Sequence, residues 1–525
     1  MFQSSYVNFQ GSYEISLGEK MRILFLNLPD PPGVYVYKDY CGGFGSAFPF
    51  RKNQKHIIFP PLFDAYAASI VEMKGHEVSI VDAQVKRDSD KLLLQNLKRI
   101  NPEIIISRIS LPSFRNNLKI ISKIKNHFPN VIYVGWGSLC KVLPEIVLLK
   151  GDLDIVVRDE LEFTIFSLIK TLSSNGNLKD VEGISFKSPK IIHNPYVSSE
   201  KNLNALPLPA YHLLDMKKYQ ARESYFLKEG SKNKTVNFFT LLSSRGCNFN
   251  CPYCPYPVIF GRWRAMSPKK VVDEMEYLVK NYNIRTFWFH DQVFTMIPKR
   301  VEKICKEIVD RKLEVTWACE THVKKLSQHL IRTMKRAGCT RIQVGVETGD
   351  PQLLSTIGKK GCTVNDIEEV IYHLHEEGVL IEANFIVGLP GENWKTIKNT
   401  AKIIRRTKPD DVAISIITPY PGTKLFSLAK NRNWLITEDW SKYTTSQPVM
   451  ALPNFSGEDM KEAQRYLYGI FLYTSRLNRL IATAKRHRLL KFCQTFVKEL
   501  PQIGMGIYFI TKFIIKSKVR SIGGN

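Results

Sequence analysis

Short apolar runs closed by Pro, Gly or Asp recur along the first third of this chain, with amphipathic stretches between them. Residues 21–30, Met-Arg-Ile-Leu-Phe-Leu-Asn-Leu-Pro-Asp, form one such run. A continuous apolar segment of this length reads as a strand buried on both faces. Residues 60–75 carry a helical period and stop at Gly75, and His76 to Asp82 is the next strand. A helix over 88–100, a strand Glu103 to Ser107, a helix over 115–127 and strands Val131 to Gly135 and Asp154 to Val157 follow. This alternation predicts an α/β fold: a Rossmann-like, doubly wound parallel sheet that receives ligands at the carboxyl ends of its strands.

Residues 183–235 lose the period. They hold Pro195, Pro207, Pro209 and a polar stretch from Lys228 to Lys234, and read as a linker with an entry loop. A second series starts at Val236 to Leu242. Strands at 285–290, 314–318, 340–345, 380–387 and 411–417 alternate with helices at 268–281, 298–311, 326–337, 364–377 and 394–407. Six strands joined by helices predict a partial (β/α)6 barrel with its chemistry at the carboxyl-end mouth. Beyond residue 426 the strand signal fades and 457–500 reads as helix. The chain thus divides into a tail (1–20), a doubly wound domain (21–185), a linker (186–235), a barrel (236–425) and a helical, basic end (426–525).

Composition narrows the class. The 525 residues are 44% hydrophobic, as in a globular protein of two or three domains. No stretch reaches the ~20 apolar residues of a membrane span, and the first twenty residues, with Glu14 and Glu19, lack the apolar core of a secretion signal. Of ten cysteines, seven are scattered and three crowd together. That distribution points to a reducing cytoplasm and one metal site rather than a disulfide framework. The net charge of +26 admits solvated lysines, an anionic membrane surface or nucleic acid. No zinc knuckle or helix-turn-helix pattern supports nucleic acid. Nine basic residues against one acid, Glu499, occupy 485–520, around the apolar stretch 503–515. That segment reads either as a packing helix or as an amphipathic helix resting peripherally on the inner membrane surface.

The clustered cysteines are Cys247, Cys251 and Cys254, spaced Cys-x-x-x-Cys-x-x-Cys. Closed zinc sites and simple iron–sulfur electron carriers take four protein ligands. Three thiolates from one loop therefore leave a coordination corner open, or await a remote fourth ligand.

The triplet, with Tyr253 before its last cysteine, resembles the radical S-adenosylmethionine (radical SAM) superfamily. The resemblance extends through Phe289-His290-Asp291-Gln292-Val293-Phe294-Thr295, Trp317 to Thr321, Gly345-Val346-Glu347-Thr348-Gly349, Gly388-Leu389-Pro390-Gly391-Glu392 and the Pro421-Gly422-Thr423 turn. It implies a [4Fe-4S] cluster on the three cysteines, with SAM on the open iron cleaved to a 5′-deoxyadenosyl radical that abstracts hydrogen from carbon. It further implies SAM contacts from Tyr253, Asp291, Glu320, Glu347, Gly388 and Pro390, and an external one-electron reductant of flavodoxin or ferredoxin type. His290 is a further candidate beside Asp291.

The amino-terminal sheet resembles the cobalamin-binding domain of one subclass, through Arg22 to Asn27, Pro60-Pro61-Leu62, Val81-Asp82-Ala83 and Gly135-Trp136-Gly137-Ser138. It lacks the subclass's Asp-x-His-x-x-Gly signature, and Asp159-Glu160-Leu161-Glu162 stands where Gly-Glu-Gly-Glu is usual. The resemblance implies cobalamin and methyl transfer to carbon of a small-molecule or lipid substrate. The alternatives are radical carbon–carbon bond formation or cyclisation on a lipid or isoprenoid, and a non-catalytic iron–sulfur and cobalamin sensor or electron carrier. Cys41-Gly42-Gly43-Phe44-Gly45 opens no helix, so it is not a dinucleotide fingerprint; it reads as a mobile loop over the cavity.

Overall fold

The computed structural model describes residues 19–50, 57–86, 90–197, 201–227, 234–359, 361–486 and 499–513. Among the described residues the amino-terminal part holds nine strands: β1 (Arg22–Asn27), β2 (Val34–Tyr37), β3 (Ser46–Pro49), β4 (Glu77–Asp82), β5 (Ile104–Arg108), β6 (Ile132–Trp136), β7 (Ile155–Val157), β8 (Ile184–Ser188) and β9 (Lys190–His193). Seven of them form one sheet in the order β4-β1-β5-β6-β7-β8-β9. The strands from β4 to β7 are parallel. Along β1, Ile23 and Phe25 join the core on one face and Leu24 and Leu26 the core on the other. The period-two alternation of the strand is thus apolar on both sides, which is why the sequence shows an unbroken apolar run.

Helices Leu62–Glu72 and Leu161–Ser173 cover one face; Asp90–Ile100 and Phe114–His127 cover the other. The antiparallel pair β8–β9 is an addition to the sequence reading, which took 183–235 as irregular. Its residues are short, polar and half solvated (Lys187, Ser188, Lys190), so they carry little apolar signal.

The antiparallel hairpin β2–β3, with a tight turn at Cys41–Gly43, lies in the connection after β1 and covers the carboxyl edge of the sheet. Lys38 donates to Asn27 and to the Leu28 carbonyl, Gln84 donates to the Val36 carbonyl, and Ser138 donates to the Gly42 carbonyl. Gly42, Gly43, Phe44 and Gly45 are buried between the two domains, and Tyr40 and Cys41 at the head of this segment line the barrel cavity. A three-glycine run is needed because this backbone adopts positive φ and passes within van der Waals contact of Pro255, Arg108 and Ser138.

The linker folds into β10 (Gln220–Arg222) and β11 (Thr235–Asn237), an antiparallel pair around a turn of helix at Glu223–Phe226. Tyr225 of that turn stacks on Trp288 at 5.1 Å, with the Arg341 guanidinium 4.3 Å from its ring.

The barrel strand β12 (Phe239–Leu241) leads into a two-stranded stem, β13 (Ser244–Arg245) and β14 (Arg264–Ala265). Next come β15 (Thr286–Phe289), β16 (Thr316–His322), β17 (Cys339–Glu347), β18 (Leu380–Val387) and β19 (Asp411–Ile416). The strands β12, β15, β16, β17, β18 and β19 are neighbours in that order and all parallel. The predicted six-stranded partial barrel is therefore present. Four of its helices start with side-chain caps, at Ser267, Ser327, Thr363 and Asn393, the last two as reciprocal capping boxes.

Helix Gly457–Arg486 packs on β19 and on helix Trp394–Thr407. The helical segment 499–513 lies against it: Gly506 approaches Gly469, and Phe513 meets Trp394 at 4.8 Å. The basic residues Arg488, Lys491, Lys498, Lys516, Lys518 and Arg520 and the apolar Ile514 and Ile515 lie outside the described residues. No helix among the described residues is long and apolar enough to cross a membrane.

Candidate active site

Cys247, Cys251 and Cys254 sit on the loop that hangs from the β13–β14 stem at the carboxyl end of β12. Gly246 opens the loop at φ +79°, and a Cβ there would lie 2.7 Å from the Gly261 carbonyl oxygen. Only glycine accepts that backbone without strain. Cys247 N–H donates to the Gly261 carbonyl at 3.1 Å, and Cys254 N–H closes a turn on the Cys251 carbonyl at 3.1 Å. The far side is tied to the strand-end turns of the barrel. Leu425 N–H donates to the Pro252 carbonyl at 2.9 Å, Gly358 packs on Cys251, and the Phe249 ring stacks on His322 at 4.3 Å.

All three thiols line one cavity of about 410 Å³ at the mouth and inside of the barrel. Tyr253, Glu320, Glu347 and His290 line it too. Burial pushes each thiol up, Cys251 to about 11, and for Cys251 and Cys254 the other thiols of the triplet add to the effect. Such thiols stay protonated until a cation compensates their charge, so a metal that binds here displaces protons.

Glu347 ends β17 at φ +65°, a left-handed conformation rare outside glycine, at a register shift against β18. Strain of this kind persists where the surroundings enforce it and gathers at functional sites. Its carboxylate pairs at 2.9 Å with Lys359, a buried ammonium that also donates to the Gly345 carbonyl. Glu320 accepts from Gln292 at 3.1 Å and, among the described residues, has no cationic partner within ion-pair distance. Burial first, then the Glu347 and Glu382 charges, push it up to about 8. Glu382 instead has Arg341 at 2.8 Å.

Three predicted residues lie elsewhere. Asp291 is buried under the stem and does not face the cavity. It accepts from Ser243 N–H at 2.8 Å and from the Ser243 and Ser244 hydroxyls, so its work is to hold the stem. Gly388 and Pro390 are also off the cavity wall. A Cβ at Gly388 would meet Ile417 and Met460 at 2.8 Å, so this glycine serves close packing of helix Gly457–Arg486 on the barrel. The Gly388 and Leu389 N–H groups donate to Glu392, which closes the turn.

Two cavity residues escaped the sequence reading. Lys359 sits in a loop with no motif around it. His322 is a neutral donor. Burial first, then Lys359, Lys325 and Lys324, press it down to about 3. Its Nδ1 accepts from Lys324 N–H, which leaves the proton on Nε2, and among the described residues Nε2 is buried without a partner at the cavity wall. Asn384 Oδ1 is a second unpartnered polar atom there.

The sequence profile of the radical SAM superfamily matches residues 241–404. Over 412 residues the chain is 32% identical to the uncharacterized methyltransferase PH0819 of Pyrococcus horikoshii, covering 78% of this chain and 87% of that one. The chain belongs to the radical SAM superfamily. It is also 26% identical to the anaerobic magnesium-protoporphyrin IX monomethyl ester cyclase of Rubrivivax gelatinosus, over 75% of this chain and 70% of the other. Among solved structures, the cobalamin-dependent SAM radical enzyme OxsB, with aqua-cobalamin and SAM bound, superimposes with a TM-score of 0.69. That match covers 93% of this chain and 72% of OxsB at 16% identity, and so speaks for the fold.

The cofactors of a radical SAM enzyme are a [4Fe-4S] cluster and SAM, and the donor set fits the cluster. Among the described residues no three His, Cys, Asp or Glu side chains converge on a single metal point. What fits the cluster is three thiols carried on one loop and lining one cavity, which leave a corner of the cube for another ligand.

Proposed function

We propose that this radical SAM enzyme activates an unreactive C–H bond and transfers a methyl group to that carbon, with cobalamin as the methyl carrier. The observation that carries the reading is three thiols of one loop lining the same cavity as an amino-acid-like charge pair, Glu347 and Lys359. When bound, the cluster supplies the electron that splits the sulfonium of SAM into methionine and a 5′-deoxyadenosyl radical. Cys247, Cys251 and Cys254 would hold it.

The chain's own groups do the positioning. Glu347 accepts from the α-ammonium of SAM, and Lys359 faces its α-carboxylate. Tyr253, beside the thiols, offers a ring face to adenine. The neutral His322 donates from Nε2 into the cavity, and Glu320, protonated near neutral pH, donates or accepts one proton at its carboxyl oxygen. Enclosure by the barrel excludes water from the reacting carbon.

For cobalamin, the carboxyl edge of the amino-terminal sheet has a suitable polar donor set. Asn27, Asp82, Ser107, Arg108 and Ser138 are buried there, and Arg108 Nε has no partner. These residues would hold the polar parts of the group, which when bound supplies a methyl group for transfer to carbon. In the described conformation the β2–β3 hairpin covers that edge and leaves a space of only about 20 Å³. Cobalamin would therefore have to displace the hairpin.

The likeness to the Rubrivivax cyclase favours ring closure as the second reading. The substrate is a small molecule or a lipid. The exposed Leu500, Met505, Ile507 and Tyr508 on the 499–513 helix support peripheral contact with an anionic membrane. Sedimentation with phosphatidylglycerol vesicles, compared with phosphatidylcholine, tests that contact.

The deciding experiment is anaerobic incubation of reconstituted protein with SAM and dithionite. The reading expects 5′-deoxyadenosine well above a Cys251→Ala control, and one equivalent of cobalt in protein made with cobalamin. SAM bound but not cleaved would favour an electron carrier. Iron without cobalt would remove methyl transfer.

A further inference from the structure

The amino-terminal domain reaches the cluster loop through a buried charge network. Arg245 and Arg264 face each other across the β13–β14 stem. Both donate to Glu160, which belongs to the amino-terminal domain: Arg245 Nη1 at 2.8 Å and Arg264 Nη2 at 2.6 Å. Arg245 Nη2 also donates to Glu162 at 2.6 Å. The side chains of Arg245 and Glu162 are 1% and 0% exposed, that of Glu160 5%. Arg245 also lies 4.9 Å from the Phe63 ring, and Lys201 stands 3.9 Å from Glu160 beside its own partner Asp159.

This is an expensive arrangement. Burying an ion pair in place of apolar side chains seldom gains stability, while removing one partner leaves an uncompensated buried charge. What a two-armed carboxylate provides is geometry, because guanidinium–carboxylate bonds are directional and short. Arg245 stands two residues before Cys247, and Arg264 closes the other end of the same loop. The acidic segment Asp159–Glu162, which the sequence reading set against a cofactor-domain motif, here grips the stem of the cysteine loop.

We propose that Glu160 and Glu162 are positioning residues that fix the cluster loop against the amino-terminal domain, so that this domain controls the geometry of the three cysteines. The proposal rests on the cluster reading of Cys247, Cys251 and Cys254, but not on cobalamin or on methyl transfer.

The test uses the full-length chain and two readouts. In metal-free protein, hydrogen exchange is followed in peptides covering 243–265 and, as a reference, 380–387. Glu160→Gln/Glu162→Gln is expected to speed exchange in the stem and loop at least tenfold and leave the reference unchanged. In the reconstituted protein, the change in the electron paramagnetic resonance of the reduced cluster on adding SAM is expected to broaden or diminish. Lys125→Ala, which breaks an ion pair inside the amino-terminal domain at 2.9 Å, should leave both readouts alone.

Equal acceleration in both peptides, or none, overturns the proposal, as does an unaltered SAM-induced spectrum. Should the double variant not fold, Arg264→Gln, on the half-buried arm, carries the same test. An unchanged stem there also overturns it. A wild-type enzyme that transfers no methyl group would refute the functional reading and leave this one standing.

Discussion

The molecule uses one β/α grammar twice and finishes its two strand-end crevices in opposite ways. At the amino-terminal sheet the carboxyl edge is covered by its own chain. Lys38 is held by Asn27, Asp39 pairs with Arg108, and Gln84 reaches Asp30. At the barrel the same edge stays open as a cavity of about 410 Å³. Its wall keeps protonated thiols, a Glu320 whose hydrogen-bond donor is the neutral Gln292, and atoms on His322 and Asn384 that have no partner among the described residues. Strand ends give both regions the opportunity to bind; the barrel crevice is open, while the covered edge keeps Arg108 Nε as an unsatisfied group beneath the hairpin. Burying a donor without a partner costs roughly 1–3 kcal/mol. Several such groups around one cavity are best explained by ligands that complete them.

The comparison can be broken at either crevice. The largest effect is expected at the open one. Cys251→Ala should lower 5′-deoxyadenosine formation by about 100-fold or more, with iron content falling in parallel by colorimetric assay. Lys359→Met removes the partner of a buried carboxylate, a loss of about 2–5 kcal/mol in comparable charge pairs. Calorimetric titration of the reconstituted variant should show SAM affinity reduced by more than tenfold. An unchanged affinity would place SAM elsewhere.

At the closed crevice, Gly43→Ala puts a Cβ 2.6 Å from Arg108 Nη2 on a backbone at φ +85°. A cost of about 1–3 kcal/mol is expected from such strain. It should lower the melting midpoint more than Gly33→Ala, which has a similar φ of +76° and nothing within 4 Å. Equal shifts would mean that the hairpin is not tightly seated.

The smallest effect is in pH dependence. Glu320 rises from 4.5 to about 8 in the folded protein. A raised carboxyl contributes stability that is complete below the unfolded value and is lost as pH climbs through the folded one. Metal-free protein should lose melting temperature between pH 5 and 8 relative to Glu320→Gln, whose profile is flatter. A parallel profile would show that Glu320 titrates normally.

Most of the architecture was legible in the sequence, because strands buried on both faces leave unbroken apolar runs and the helices between them keep their period. The cysteine loop was legible because its ligands are local. What the sequence hid depends on contacts between distant segments. Asp291 looked like a mouth residue by its place after β15, but the serines of the stem turn it inward. Gly388 looked like a cofactor approach, and the sequence did not show that helix Gly457–Arg486 packs against it. Lys359 lies in no periodic element, and nothing near His322 tells that its Nδ1 is already occupied. The acidic run Asp159–Glu162 takes its meaning from two arginines about eighty and a hundred residues away, a pairing that no local pattern announces. The hairpin over the amino-terminal edge belongs to this group: its glycines were visible, and their burial was not.

The central claim is an iron–sulfur cube on three protein sulfurs whose remaining iron takes SAM. Mössbauer spectroscopy of protein reconstituted with iron-57 tests it most directly. Adding SAM should shift the signal of one iron of the cube and leave the others in place. Irons that all keep their parameters, or a fourth protein ligand on that iron, would contradict it.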